Sequence, residues 1–377
     1  LYNFKRKKED KEMLNANVDL MGNGQAQGDF AKMIQNNGSF NVGAKRPFIG
    51  DDGRPYVSMY KGGDPTKKEN WANQLVSNAT LRRDEWKQLD AALMAEKTYR
   101  LGGIDDLRAN GLTYNLGNAM GTTVLEWHDV AGTMSAVVSM DGVTKGEGNR
   151  PNYQTNYLPI PITHVDYEIN ARALATSRNM GNPLDVTDAA MAARAINEKL
   201  ENMLFTDITY GYGEVDDRSR NKIYSYLNFP DINLVTLGTH WDASAKTAAG
   251  ILQDVLNMIK SANAAYYYGP FMLYIPTEYG IVLYDDYDTT TPGTTIKDRI
   301  MKIDVIKGIK VIDTLADDTI LLVQMTPDVV RLVNGLGLTN IQWKEEGDFV
   351  MKFKTFCITV PQIRSDQNGH CGIVKLA

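Results

Sequence analysis

The chain has 377 residues, 43% of them hydrophobic and 23% charged, with a formal net charge of −6 at pH 7. This composition is that of an ordinary globular protein with room for two or three domains or one large elaborated one. The acidic balance argues against a broadly basic nucleic-acid binder. No run approaches the ~18 apolar residues of a membrane span, and the N-terminus lacks a signal-peptide core. Cys357 and Cys371 are the only cysteines; without paired histidine spacing they argue against a zinc site and for a reducing compartment.

In chain order, residues 1–78 carry a Lys-Arg-Lys-Lys cluster at 5–8 and then a stretch rich in Gly, Asn, Gln and Asp. Such a segment buries too little apolar surface to fold alone. It reads as an extended arm, with Phe30, Phe40, Phe48, Tyr56 and Tyr60 available to dock on another surface. Helical periodicity occupies 80–101, with Thr80 as N-cap and a stripe of Trp86, Leu89, Ala92 and Leu93. Gly102 and Gly103 are expected to stop that helix. After a second short helical piece, 122–142 is strand-like, and 143–157 is a Gly/Asn-rich turn region. The segment 158–174 then forms the return strand of a long hairpin whose tip carries Lys145, Glu147 and Arg150.

That return segment, LPIPITHVDYEINARAL, changes its apolar face partway along. Leu158, Ile160 and Ile162 are apolar on the even side; Val165, Tyr167, Ile169, Ala171 and Ala173 are apolar on the odd side, opposite His164, Asp166, Glu168, Asn170 and Arg172. Successive strand residues point to opposite faces, so the buried side has flipped. Pro159 and Pro161 cannot donate to a ladder and are expected where the hairpin leaves regular pairing. Asp166, Glu168 and Arg172 are expected to face a neighbouring subunit or its polar rim.

The clearest element follows. From Val186 to Phe205 there is no Gly or Pro, giving a helix of roughly 30 Å with Asp185 or Thr187 as N-cap. Ala189, Ala192, Ile196, Leu200, Met203 and Leu204 line one face, and Arg194, Glu198, Lys199 and Glu201 are placed elsewhere on its surface. Residues 211–231 read as a turn and short ribbon. Then α and β patterns alternate: a helix at Ala245–Asn263, a buried strand at Phe271–Ile275, helices from about Pro276 and at Ile296–Met301, and strands at Ile309–Ile312 and Ile320–Met325. From Asn340 the two-residue period returns, and this end is expected to pair with the hairpin-and-spine region. There is no internal repeat.

The chemistry motifs are sparse. His128, His164, His240 and His370 form no metal-binding i, i+4 pair, and no nucleophile elbow accompanies them. Asp285, Asp286 and Asp288 lack the glycine and glutamate of an EF-hand loop. The glycines of 22–28 lack the strand and spacing of a phosphate loop. Cys357 sits in a strand pattern as a small buried hydrophobe, and Trp127 and Trp343 suit packing. What stands out are devices for contact: an arm, a projecting hairpin and a spine helix.

This order of elements resembles the α+β Hong Kong 97-type fold of tailed-phage major capsid proteins, in its encapsulin-like branch. Residues 79–101 are similar to that branch's leading helix through Trp86, Leu89 and Asp90. Its strand and spine motifs are matched by Pro159, Pro161, Asp166, Tyr167, Arg172, Pro183, Leu184, Asp185, Ala193, Arg194, Glu198, Glu201, Leu204 and Phe205. The likeness is strong over about 79–213 and architectural elsewhere. It implies an N-terminal arm (1–78), leading helices (79–116), an extended β-hairpin or E-loop (117–172), a peripheral P-domain with the spine helix (173–240), an axial A-domain (241–335) and a return to the P-domain sheet (336–377).

The resemblance implies a structural protein rather than an enzyme, without cofactor or catalytic or metal residues. Its subunits would self-assemble as pentamers and hexamers into an icosahedral shell around double-stranded DNA. The implied partners are the chain itself, neighbouring capsomers, the packaged DNA held non-specifically, and scaffold, portal, maturation protease and decoration proteins, with no membrane. The implied location is the virion capsid, assembled in the host bacterial cytoplasm. Candidate inter-subunit contacts are Lys145, Glu147, Arg150, Asp166, Glu168 and Arg172. Covalent crosslinking, known in part of the family, joins Lys to Asn; Lys145 has the right chemistry, but no partner is assigned. The 78 residues before the leading helix and the larger 214–377 portion favour a viral capsid over the alternative, an encapsulin-type nanocompartment with a cargo-peptide groove. A soluble carboxylate-dependent hydrolase is the third reading, disfavoured because no acid/base pair or nucleophile emerges.

Overall fold

The computed structural model describes residues 46–60, 71–75, 81–96, 102–130, 140, 153–180, 186–206, 210–211, 222–287, 293–344, 350–366 and 368–377. Strands β1 (Phe48–Ile49), β2 (Pro55–Tyr60) and β3 (Trp71–Leu75) form a small antiparallel sheet. It is followed by α1 (Arg83–Glu96), α2 (Gly102–Ala109) and β4 (Thr113–Asn115). A two-stranded ribbon, β5 (Val124–Val130) and β6 (Tyr153–Pro159), precedes β7 (Thr163–Asn170), α3 (Ala171–Met180) and the spine helix α4 (Thr187–Phe205). Strands β8 (Tyr210–Gly211) and β9 (Lys222–Ile223) pair next, as the expected short ribbon.

The second half alternates. It runs β10 (Asn233–Val235), α5 (Ala248–Ala264), β11 (Phe271–Pro276), α6 (Thr277–Val282), α7 (Ile296–Met301), β12 (Ile306–Ile312) and β13 (Ile320–Gln324). Two long strands, β14 (Val330–Lys344) and β15 (Val350–Ile363), and a short β16 (Ile373–Leu376) complete it. Helix starts follow local chemistry: the Thr247 side chain accepts from the Gly250 N–H at 3.1 Å, and Thr295 with Asp298 forms a reciprocal capping box.

Two larger sheets organise these elements. One has the order β10-β16-β13-β11-β12, with β10∥β16 and β11∥β12 parallel and the other pairs antiparallel. Every residue of β11, FMLYIP, is buried, because both faces of the sheet are covered. Phe271, Leu273 and Ile275 pack with Val255 and Met258 of α5 and Ile300 of α7. Met272 and Tyr274 face the other way, into a core shared with Ile196, Leu200, Leu204 and Phe205 of the spine helix. The other sheet has the order β4-β14-β15-β7, and its Met351 and Phe353 pack with Trp86 and Leu89 of α1 and Ala189 of the spine helix.

Several sequence expectations are corrected. The segment 158–174 is not one strand. The partner of β5 is β6, in the register Val124↔Pro159 to Val130↔Tyr153, so the return strand begins upstream of Leu158. Pairing ends at Pro159, one further backbone bond joins Ile160 N–H to Thr123 O at 2.9 Å, and β7 then pairs with β15 in the other sheet. The face switch is a change of sheet. From Ala171 the chain is helical; the Asn170 side chain accepts from the Arg172 N–H at 2.8 Å and starts α3. Gly102 and Gly103 open α2 instead of closing α1, because the first turn of α2 lies against the spine helix: a Cβ on Gly103 would fall 2.5 Å from the Phe205 ring.

Helix α4 has Val186 at its N-cap without a side-chain bond, so Thr187 does not cap it; Asp185, Thr80 and the 5–8 and 22–28 motifs lie outside the described residues. Glu201 is 2% exposed, not a surface residue of the helix, because α2 covers that flank. Part of the expected arm is structured: β1 to β3 form a sheet, and Phe48 is buried in the cluster with Trp86. The return of two-residue period begins at Val330, and the final strand β16 lies between β10 and β13 of the five-stranded sheet, not in the sheet of β15.

Candidate assembly surface

The surface is built around the β6–β7 crossover. Leu158 and Ile160 are buried, packed with Val333, Ile358 and Val360, while Ile162 is exposed. Past the crossover, β7 is the edge strand of its sheet. Its odd residues face the core: Ile169 is buried, and Tyr167 stacks on Phe353 at 5.2 Å and takes a hydrogen bond from the Asn340 amide. Burial holds the Tyr167 phenol well above its ordinary pKa.

The even residues His164, Asp166, Glu168 and Asn170 are all exposed. They stand opposite β15 in the register Asp166↔Lys354 and Glu168↔Lys352. Asp166 reaches Lys354 Nζ at 3.3 Å. This gives a two-rung ladder of acid on the edge strand and base on its neighbour, polar and solvent-facing. Arg172 is exposed too, but on α3, so the strand-face grouping of Asp166, Glu168 and Arg172 holds for the first two alone. Lys145, Glu147 and Arg150 lie outside the described residues.

Behind this edge, charged clamps fix the layers. Arg178 of α3 grips Glu85 of α1 with two bonds of 2.7 and 2.6 Å, and the same carboxylate accepts the Arg82 N–H at 2.6 Å. Arg46 forks onto Asp90 at 2.9 and 2.7 Å, donates to Asn340 O at 2.8 Å and lies over the Trp86 ring at 4.9 Å. Trp86 donates to Pro47 O at 3.0 Å. The residues just ahead of β1 are thereby tied to both α1 and β14.

A second junction joins the spine helix to the five-stranded sheet. Glu201 accepts from the Gly103 N–H at 2.7 Å and the Ile104 N–H at 3.4 Å. Burial, against those two bonds, raises its pKa to about 7. Next to it Asp106 pairs with Lys310 of β12 at 2.6 Å and accepts from the Tyr274 hydroxyl at 3.0 Å, and Lys310 also donates to Gly102 O at 3.2 Å. Phe205 packs edge-on against Tyr226 and Tyr274 at 5.5 and 5.0 Å.

Sequence reading missed this junction. Its one local signal was Glu201 four residues before Phe205, on a helix whose apolar arc widens toward its C-terminus. Asp106 and Lys310 are 204 positions apart and carried no signal. Among the described residues no group of His, Cys, Asp and Glu could hold a metal ion. Cys357 and Cys371 are buried thiols, both pushed up to about 12 by burial. No described helix is long and apolar enough to cross a membrane.

Solved structures share this arrangement. The chain aligns with a virus-like particle from Pyrococcus furiosus at a TM-score of 0.53 and 19% identity, covering 78% of this chain and 99% of that one. The capsid of Myoviridae Phage XM1 gives 0.53 and 11% identity, over 71% and 90% of the two chains. The capsid of a native GTA particle gives 0.51 and 12%, over 83% and 94%. The fold is the Hong Kong 97-type fold. No curated protein matches in sequence. A family profile described as a family of unknown function, DUF6260, matches residues 76–376. On that match, which spans most of the sequence, the chain belongs to DUF6260.

Proposed function

We propose that this chain is the major capsid subunit of a tailed phage, assembling as pentamers and hexamers into an icosahedral shell around double-stranded DNA. The observation that carries the reading is that the chain aligns with almost the whole of three shell subunits, 90–99% of their lengths, and not with an isolated motif. In this reading the β5–β6 ribbon is the base of the E-loop, the spine helix with the β14–β15 sheet is the P-domain, the five-stranded sheet is the A-domain, and the residues before α1 are the arm. Asp166 and Glu168 on the edge of β7, Arg172 on α3, and Lys145, Glu147 and Arg150 contact neighbouring subunits. An exposed edge strand is a template for pairing, and many modest contacts add through multivalency. The subunit's role is structural. Its partners are copies of itself, the DNA, and the scaffold, portal, protease and decoration proteins of such particles, and its place is the virion after assembly in the host cytoplasm.

The alignment over 99% of a virus-like particle subunit favours a second reading, a nanocompartment shell of encapsulin type. Expression of the full chain, size exclusion and negative-stain electron microscopy test both. Shells or capsomers, alone or with the helper proteins of its phage, are expected. Nuclease-protected DNA in particles from infected cells supports the capsid, and protein cargo supports the compartment. A monodisperse small oligomer under all these conditions overturns both.

A further inference from the structure

We propose that Glu201 makes the junction between the spine helix and the five-stranded sheet proton-sensitive, firm while its carboxyl carries a proton and loosened when it ionises. The geometry shows one negative charge too many. Two buried carboxyls, Glu201 and Asp106, meet at the start of α2 with one lysine between the elements. Lys310 is committed to Asp106 at 2.6 Å and to the Gly102 carbonyl at 3.2 Å. Among the described residues no cation pairs with Glu201, whose partners are the Gly103 and Ile104 amides.

The surroundings reinforce the imbalance from every side. Helix α2 adds Asp105 and Asp106, both of which disfavour the charged form, while its Arg108 is occupied by Asp105 at 3.4 Å. Strand β11 offers Tyr274, whose hydroxyl is already given to Asp106. The turn after β9 offers Tyr226, wholly buried with a hydroxyl that has no partner among the described residues, and the charges acting on it are those of Glu201 and Asp106. A protonated Glu201 keeps a carbonyl oxygen for the Gly103 N–H and adds a donor to this acceptor-rich pocket. An ionised one holds the two amides more strongly, but it loses that donor and is left desolvated beside Asp105 and Asp106, and burial outweighs the two bonds. Because Glu201 reaches across 98 positions to Gly103, its state acts on the contact between elements and not on a single helix.

Hydrogen exchange of the full-length chain between pH 6 and 8, corrected for intrinsic rates, tests this on the amides of 103–107. The closed-state carboxyl titrates at about 7 and the opened one at the ordinary carboxylate value, so in the wild type the opening constant rises about tenfold from pH 6 to 8, with a midpoint at about 7 beyond which it levels off. Glu201→Gln, which keeps the acceptor oxygen and cannot ionise, gives a flat profile. Asp106→Asn removes the competing charge, frees Lys310 and moves the wild-type midpoint to lower pH. A flat wild-type profile overturns the proposal, as does a slope that survives Glu201→Gln. Should the Gln variant fail to fold, an unmoved midpoint in Asp106→Asn overturns it equally.

Discussion

Removing Asp106 and removing Lys310 should have unequal costs, although each breaks the same 2.6 Å pair. The Asp106 side chain is 10% exposed and that of Lys310 is 38% exposed. After Asp106→Ala, the lysine turns its ammonium toward water, and the main loss is the acceptor of the wholly buried Tyr274 hydroxyl, about 1–3 kcal/mol. After Lys310→Met, Asp106 keeps Tyr274 but is buried without its cation, beside Glu201. Breaking a buried pair from this side costs about 3–5 kcal/mol. The double variant leaves no stranded charge and should be less destabilised than Lys310→Met alone, with a coupling of about 2 kcal/mol. The assay is urea unfolding of the four proteins at one fixed concentration, since association adds to apparent stability. Strictly additive single effects, or a larger loss from Asp106→Ala than from Lys310→Met, would refute the assignment of Asp106 as the buried, dependent partner.

Gly103→Ala is expected to destabilise by about 1–3 kcal/mol in urea, because its methyl would meet the buried Phe205 ring at 2.5 Å; the helix-propensity gain of about 1 kcal/mol offsets only part of this. Arg46→Ala removes the fork on Asp90, the bond to Asn340 O and the cover over Trp86, and should lower stability by about 1–2 kcal/mol, a half-exposed fork being worth less than a buried one. Limited proteolysis should then cut the 46–60 segment sooner than in the wild type. Cys357 and Cys371, both with pKa near 12, should resist a disulfide reagent at pH 8 in the native protein and react fully in denaturant. Immediate labelling of either would place it outside the core.

The legible parts of this fold are those in which one element reports its own surroundings. FMLYIP is apolar without alternation, and β11 is covered on both faces. Ile296–Met301 is bounded by its own capping box, and its range was readable from the sequence. What was hidden depends on a second element distant in sequence. A period of 3.6 gives the angle at which Glu201 leaves the spine helix but not what stands there; α2, nearly a hundred residues earlier, decides that the position is buried. The Gly-Gly pair was equally ambiguous. Glycine both ends helices and permits close approach, and only the Phe205 ring at 2.5 Å selects the second role.

The crossover shows the same logic at work on the candidate surface. A strand whose apolar side flips has two physical solutions: an extra residue that bends it within one sheet, or a break that hands it to another sheet. The prolines choose between them. Pro159 ends the β6 ladder and Pro161 lacks the N–H that would continue it, so the chain can resume pairing only elsewhere, at Thr163↔Cys357 on β15. The even-side charges then follow from register: once Asn170 is fixed opposite Val350, Glu168 and Asp166 must stand against Lys352 and Lys354 on the open face. Arg172 escapes that face because Asn170 caps a helix before the alternation reaches it. This exposed polar edge is thus produced by two prolines and one asparagine, and substitution of Asn170, which carries no charge, should alter where Arg172 presents its own.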